Sequence, residues 1–300
     1  MPHFFRRWQD ELKRTFTGHP QSRPEWVEEL AEGDDAGFLL PSSAVWTVHS
    51  SMTTIVAGVR ALLMQALHPG ALAGVWDHSR FREDPLGRLA GTIRWIFTVT
   101  YGSTAAARGA SQWVIRLHEA VRGEFVDGHG LSRSYSANDP ELLSWVHIAF
   151  TDAFLSSYQH YGSTQVPADD YVREWSVAGE LMEVPEPPLN ETEMRARLHQ
   201  FYLDGELRFD HRVAEVVAFI RKPPLPASQR LGYRIIFAAA VESLEPQFRE
   251  LLGLRRARWP WLVRQGVRAV LAIIGLALGK VGPSEQAARR RLERLSLSDS

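Results

Sequence analysis

Ala44–Leu67, AVWTVHSSMTTIVAGVRALLMQAL, is the stretch whose reading decides the fold. It contains no Pro, and Val45, Val48, Met52, Ile55, Val59, Leu62 and Leu63 recur at helical spacing until His68-Pro69 stops the pattern. The spacing predicts one buried helix of about six turns. Downstream, HPGALAGVWDHSRFREDPLG (68–87) reads as a loop rich in Gly, Asp and Pro. Further helical patterns then follow at Arg88–Thr100, Thr104–Phe125, Pro140–Tyr161, Asp169–Met182, Glu191–Leu203, His211–Ile220, Arg230–Leu252, Trp259–Leu278 and Ser284–Leu295. Asn138-Asp139-Pro140-Glu141 and Asn190-Glu191-Thr192-Glu193 supply helix starts. Upstream, residues 1–43 hold no sustained period and read as a wrapping arm with a short helix near Phe4–Phe16. Alternating strand patterns flanked by hairpin dipeptides are not found, so no sheet is expected. The expectation is an all-α fold organised as an arm (1–43), a helical body (44–250) and basic C-terminal helices (251–300).

Composition narrows the chemistry. Three hundred residues with 45% apolar side chains suffice for one large core. Lys plus Arg number 34 against 35 for Asp plus Glu, which leaves no electrostatic footprint for nucleic acid. The absence of Cys excludes disulfides, iron–sulfur clusters and thiolate haem ligation, so His, Asp, Glu or Tyr must hold any metal. MPHFFRRWQDELKR (1–14) is too charged for a secretory signal, and a cytoplasmic address is expected. The longest uncharged apolar run, Ala269–Gly279, is eleven residues, short of the roughly 20 that a spanning helix needs. From Leu251 to Ser300, ten basic and three acidic residues give a local charge of +7. With Trp259 and Trp261 beside arginines, this tail reads as an interfacial helix in peripheral contact with the inner face of a membrane, or as the last core helix with a solvated arginine face.

Polar groups planted in apolar helices are costly unless partnered, and here they gather in one third of the chain. Arg88 and Thr92 stand at i and i+4, as do His118 and Arg122, so each pair is expected on one helix face. Antiparallel pairing of those helices would line one cavity with an imidazole, two guanidinium groups and a hydroxyl. A neutral His can ligate haem iron, an Arg can neutralise a propionate, and a Thr hydroxyl can donate to bound dioxygen. The same residues also have structural readings. His118 and His147 can be hydrogen-bonded core rings, His68 a helix cap before Pro69, and Arg88 and Arg122 surface ion-pair partners. Thr92 can bond back to its own helix, and Tyr135 and Trp145 can be packing residues.

Four strings in order, VRALLMQALHPGALAGVWDHSRF (59–81), GRLAGT (87–92), RLHEAVRG (116–123) and WVHIAFTDAFLSSY (145–158), resemble the catalytic domain of the latex-clearing rubber oxygenases. The fungal oxygenase of mycophenolic acid biosynthesis, which shortens a farnesyl chain, shares that domain. The resemblance extends from about Gly37 to Gly179. It implies an all-helical, globin-like bundle around haem b, with His118 as proximal iron ligand, Arg122 one turn later, and Arg88 with Thr92 on the distal side. His68, His147 and Tyr135 are further candidates for the cofactor pocket. Two departures stand out. The distal Lys that rubber enzymes can carry is Gly91 here, and their acidic residue falls in Gly70-Ala71-Leu72-Ala73, which leaves Asp77 as the nearest carboxylate for a base. The resemblance thus implies a haem-dependent oxygenase using dioxygen on an apolar, unsaturated or terpenoid small molecule. The alternative is a helical protein that binds haem or lipid without turnover.

Overall fold

A computed structural model describes residues 24–279 and 281–298. Its described residues form fourteen helices and one two-stranded hairpin, as the all-α reading expects. The expected helix near Phe4–Phe16 lies outside them.

The run that opened the sequence reading is two helices, not one: α2 (Ala44–Ser50) and α3 (Thr54–Gln65), after a short α1 (Glu25–Glu29). Ser51 is extended, its Oγ accepts from Thr53 N at 3.2 Å, and Thr54 Oγ1 donates to Ser51 O at 2.9 Å. Short hydroxyl side chains here take over the backbone partners that a continuous helix would need. His68 then caps a helix where a loop was expected, α4 (Pro69–His78), which meets α3 at 104°. Pro69 sits at its first turn, where a missing N–H costs nothing.

The next pair is α5 (Pro85–Tyr101) and α6 (Thr104–Glu119), joined by Gly102-Ser103. The helix expected to run to Phe125 stops at Glu119. Strands β1 (Arg122–Val126) and β2 (Ser132–Ser136) replace its end, paired antiparallel with Gly123 opposite Tyr135. Asp127 closes their turn, accepting from His129 N and Leu131 N at 3.0 and 2.9 Å, with Gly130 at φ +85°. The expectation of no sheet is corrected on this point.

The 22-residue α7 (Pro140–Tyr161) is the axis of the core and packs most extensively on α3. An ion pair between Arg60 and Asp152, with side chains 0% and 1% exposed, fastens the two. Around them lie α8 (Ala168–Leu181), α9 (Glu191–Leu203), α10 (His211–Arg221) and α11 (Ala227–Ser243). The pattern from Arg230 to Leu252 breaks before Pro246, which starts a separate α12 (Pro246–Leu251). The chain ends in α13 (Pro260–Leu278) and α14 (Pro283–Ser298). The buried Arg291 of α14 donates to the carbonyls of Asp35 (3.1 Å) and Tyr101 (2.8 Å), which binds this last helix to α5 and to the segment after α1. Among the described residues, α13 alone is a continuous helix long and apolar enough to cross a membrane by length and composition.

Candidate active site

The α5–α6 hairpin fixes the geometry. Asp84 caps α5 by accepting from Gly87 N at 2.9 Å, and Ser103 caps α6 by accepting from Ala106 N at 3.3 Å. The two helices pack along each other, and Trp95 Nε1 donates to Ser111 Oγ at 3.0 Å across the interface. Arg88 lies seven residues before Trp95, and His118 seven residues after Ser111. Seven residues are about two turns and ~10 Å of rise, and they return to nearly the same face. Arg88 and His118 therefore stand at one level on facing stripes, toward the open end of the hairpin, with Thr92 and Ile115 a turn below them.

Both groups are poorly satisfied. His118 is half-buried and its Nδ1 is buried without a hydrogen bond. Burial pushes its pKa below the ordinary value, opposed by the nearby Asn138 side chain, so the ring is neutral. Asn138 Nδ2 donates to Ile115 O at 3.0 Å, which leaves its Oδ1 buried, unpaired and able only to accept. His118 Nδ1 is the complementary donor, although the two atoms do not reach hydrogen-bond geometry. Arg88 is half-buried, and desolvation lowers its pKa, with no ion pair to it among the described residues. Thr92 Oγ1 bonds back to Arg88 O at 3.4 Å, its structural reading. A Cβ at Gly91 would meet nothing within 4 Å, so that flank of α5 is open.

His147 lies on α7, with its ring against α8. It follows by one turn Leu143, which clusters with Met182 and Val184 against Trp95, Val114 and Ile115. Its ring abuts Gly179, whose added Cβ would lie 3.1 Å from Nε2. Burial drives its pKa down to about 4, and Nε2 has no partner.

Arg122 is placed differently from expectation. It lies in β1, exposed, with Nε donating to Glu119 O at 3.0 Å. Because α6 ends at Glu119, Arg122 does not share a helix face with His118. Asp77 is exposed on the last turns of α4, where its charge adds to the burial that raises the Tyr135 pKa. The Tyr135 hydroxyl is buried and unpaired, with its ring packed on Gly123 and Gly74.

His68 forms a second constellation. Its Nε2 lies 3.4 Å from Glu141 Oε1, and His68, Glu141 and Glu206 bring their ligand atoms within 4.8 Å of one another, a spacing that could hold a metal ion. The two carboxylates escaped the sequence reading because they come from α7 and the segment after α9. The hydrogen bonding disfavours a metal. His68 Nδ1 accepts the cap bond from Gly70 N at 3.2 Å, so the neutral ring carries its proton on Nε2 and offers an ion no lone pair. Arg133 already bridges both acids, at 3.1 Å to Glu141 and 3.7 Å to Glu206. His68 thus keeps the capping role open in its sequence.

Two cavities are described, and neither is lined by Arg88, Thr92 or His118. One of about 280 Å³ borders Glu141, Phe201 and Glu206. The other, about 400 Å³, is lined by Pro69, Leu72, Phe125, Arg208 and Arg212 among others. Leu72 belongs to the stretch where the resemblance places an acid, so this cavity wall is apolar at that point.

Neither a curated protein nor a solved structure matches the chain. A family model does, over residues 46–275, a span that takes in α5, α6, both histidine constellations and most of the core. On that match the chain belongs to the family described as ER-bound oxygenase mpaB/B′/Rubber oxygenase, catalytic domain, and is an enzyme of the oxygenase class.

Proposed function

We propose that this oxygenase depends on haem b and acts with dioxygen on an apolar, unsaturated or terpenoid small molecule. The reading is carried by a neutral His118 imidazole and a desolvated Arg88 guanidinium, which helix spacing sets at one level of the α5–α6 hairpin. A fold gains nothing from a desolvated cation without an anion, and a haem propionate is such an anion. The donor chemistry therefore fits the cofactor.

His118 would hold the iron. An accepting Asn138 Oδ1 selects the tautomer with the proton on Nδ1, which leaves the Nε2 lone pair free to ligate. Arg88 would neutralise a carboxylate and orient it. Gly91 leaves the opposite approach open, because it has no side chain to occupy it. Bound haem supplies the dioxygen chemistry. The chain's own contribution is positioning and exclusion of water, helped by the Trp95, Leu143 and Met182 cluster beneath the site.

Protein purified from cells supplied with a haem precursor is expected to show a Soret band that shifts with carbon monoxide after reduction. His118→Ala should lose that band while retaining its helical circular dichroism. A His118→Ala protein with unchanged haem content and spectrum overturns the ligand assignment. Dioxygen uptake by the loaded protein with terpenoid substrates separates turnover from binding alone.

A further inference from the structure

We infer that the outer face of α13 docks on an anionic lipid bilayer, a site independent of the cofactor pocket. The helix has two contrasting sides. Val267, Leu271 and Ile274 are buried, and α13 packs on α11 and α7. The other side carries Trp261, Leu262, Ile273 and Leu276, exposed by 64%, 46%, 49% and 76%. Over the apolar stretch, with mean hydropathy 1.6, only 22% is buried. Soluble surfaces rarely present an apolar helix face of this extent without a partner. The patch continues onto α11, where Leu231 is 70% exposed and the adjacent Gly232 lies against Val270.

Charge identifies the occupant. Arg264 and Arg268, at i and i+4, follow one edge of the exposed face, and Arg255 and Arg258 lie beside Trp259 just before the helix. None of these four has an ion pair among the described residues, whereas Arg256 is held by Glu242 at 2.8 Å. The Arg258 guanidinium lies 5.0 Å from the Trp259 ring centroid, so the two share the surface. A two-fold contact with a second copy would set this arginine cluster against itself. Lipid phosphates meet it instead, with the indoles at headgroup level and Ile273 and Leu276 in the acyl boundary. The two arginines on the outer half of α13 favour a helix lying in the interface over one that crosses the bilayer.

The test is flotation of the full chain with vesicles of phosphatidylglycerol and phosphatidylcholine, against vesicles of phosphatidylcholine alone. The wild-type protein should float with the anionic vesicles and be released by salt. At about 1 kcal/mol for each basic residue at an anionic surface, Arg264→Glu with Arg268→Glu should weaken binding by roughly thirty-fold or more. Ile273→Gln with Leu276→Gln should abolish it, with the melting temperature within a few degrees of wild type because both residues face outward. Absence of flotation, or equal flotation of all three proteins, overturns the proposal. So does a wild-type dimer that the Ile273→Gln, Leu276→Gln protein cannot form, since that assigns the face to a second copy.

Discussion

Replacing Arg88 by Met should move two measurements in opposite directions. The fold desolvates this guanidinium, and no described residue forms an ion pair with it, so in the cofactor-free protein the charge is a burden. Met keeps the apolar stem and removes the charge, and stability should hold or rise by up to about 1 kcal/mol, on the scale of a half-buried ionic group in contact with solvent. That corresponds to a melting temperature higher by at most about 2–4 °C. Haem affinity should fall, because a charge-assisted hydrogen bond to a propionate is worth about 1.5–3 kcal/mol, or roughly 10- to 150-fold in Kd. Thermal denaturation of haem-free protein gives the first quantity and haemin titration followed at the Soret band gives the second. An arginine with a merely structural role predicts the reverse pattern. Arg88→Met that melts several degrees lower and binds haemin unchanged would refute the reasoning.

Other outcomes follow from the same contacts. Asp152→Ala should cost about 3–5 kcal/mol in urea unfolding, since it strands the buried Arg60, and Arg60→Met with Asp152→Leu should recover most of that loss. Asn138→Leu should leave the melting temperature within about 2 °C but shift the Soret maximum and lower haem affinity about tenfold or more, as expected for loss of an acceptor that orients the ligand ring. His49 and His147 are held to about 3 and about 4 by burial, below the 6.5 of an unfolded histidine. Their stabilising contribution is complete above pH 6.5 and is lost as pH falls toward those folded values. Between about pH 6 and 4 they should make stability fall by ~2.7 kcal/mol per pH unit together, a slope that His147→Phe should reduce by about half.

Long periodic helices were legible before any coordinates, and α7, α9 and α13 run within a residue of their patterns. The misread elements share a cause: apolar spacing can continue through a place where the backbone finds other partners. Ser51 and Thr54 divert the backbone between α2 and α3 while Val48, Met52 and Ile55 keep the period. Pro246 ends the pattern running from Arg230, and the pre-proline restriction at Glu245 was there to be read. Val121 and Phe125 prolong the α6 pattern, yet Asp127-Gly128 and Gly130 mark the hairpin turn that displaces it. That one error carried Arg122 off the helix and away from His118. Arg88, Thr92 and His118 lie on the two helices that their spacing predicts, because that placement needs only the i, i+4 and i+7 geometry of two helices joined by a tight turn. Asn138 approaches His118 from the turn before α7, and local spacing holds no record of such a contact.

The histidines show why a folded structure discriminates where a motif cannot. His49, His68, His118 and His147 all sit on apolar helices or at their ends, and all look alike to a spacing argument. In the fold, His49 gives both ring nitrogens to Thr100 and Tyr171 at 2.8 and 3.1 Å, and His68 spends Nδ1 on its cap. Folding accounts for both nitrogens of His49, whereas His68 Nε2 is buried without a hydrogen bond among the described residues and lies 3.4 Å from Glu141 Oε1. His118 Nδ1 and His147 Nε2 are likewise buried without a partner among the described residues, at a cost of about 1–3 kcal/mol apiece. Arg88 adds a desolvated charge on α5. A desolvated guanidinium on α5 is expensive for a scaffold and inexpensive for a site whose ligand supplies the anion. On this reasoning haem loading should raise the melting temperature of the wild-type protein and leave that of a His118→Ala, Arg88→Met protein unchanged. Equal stabilisation of both by haemin would place the cofactor elsewhere in the bundle.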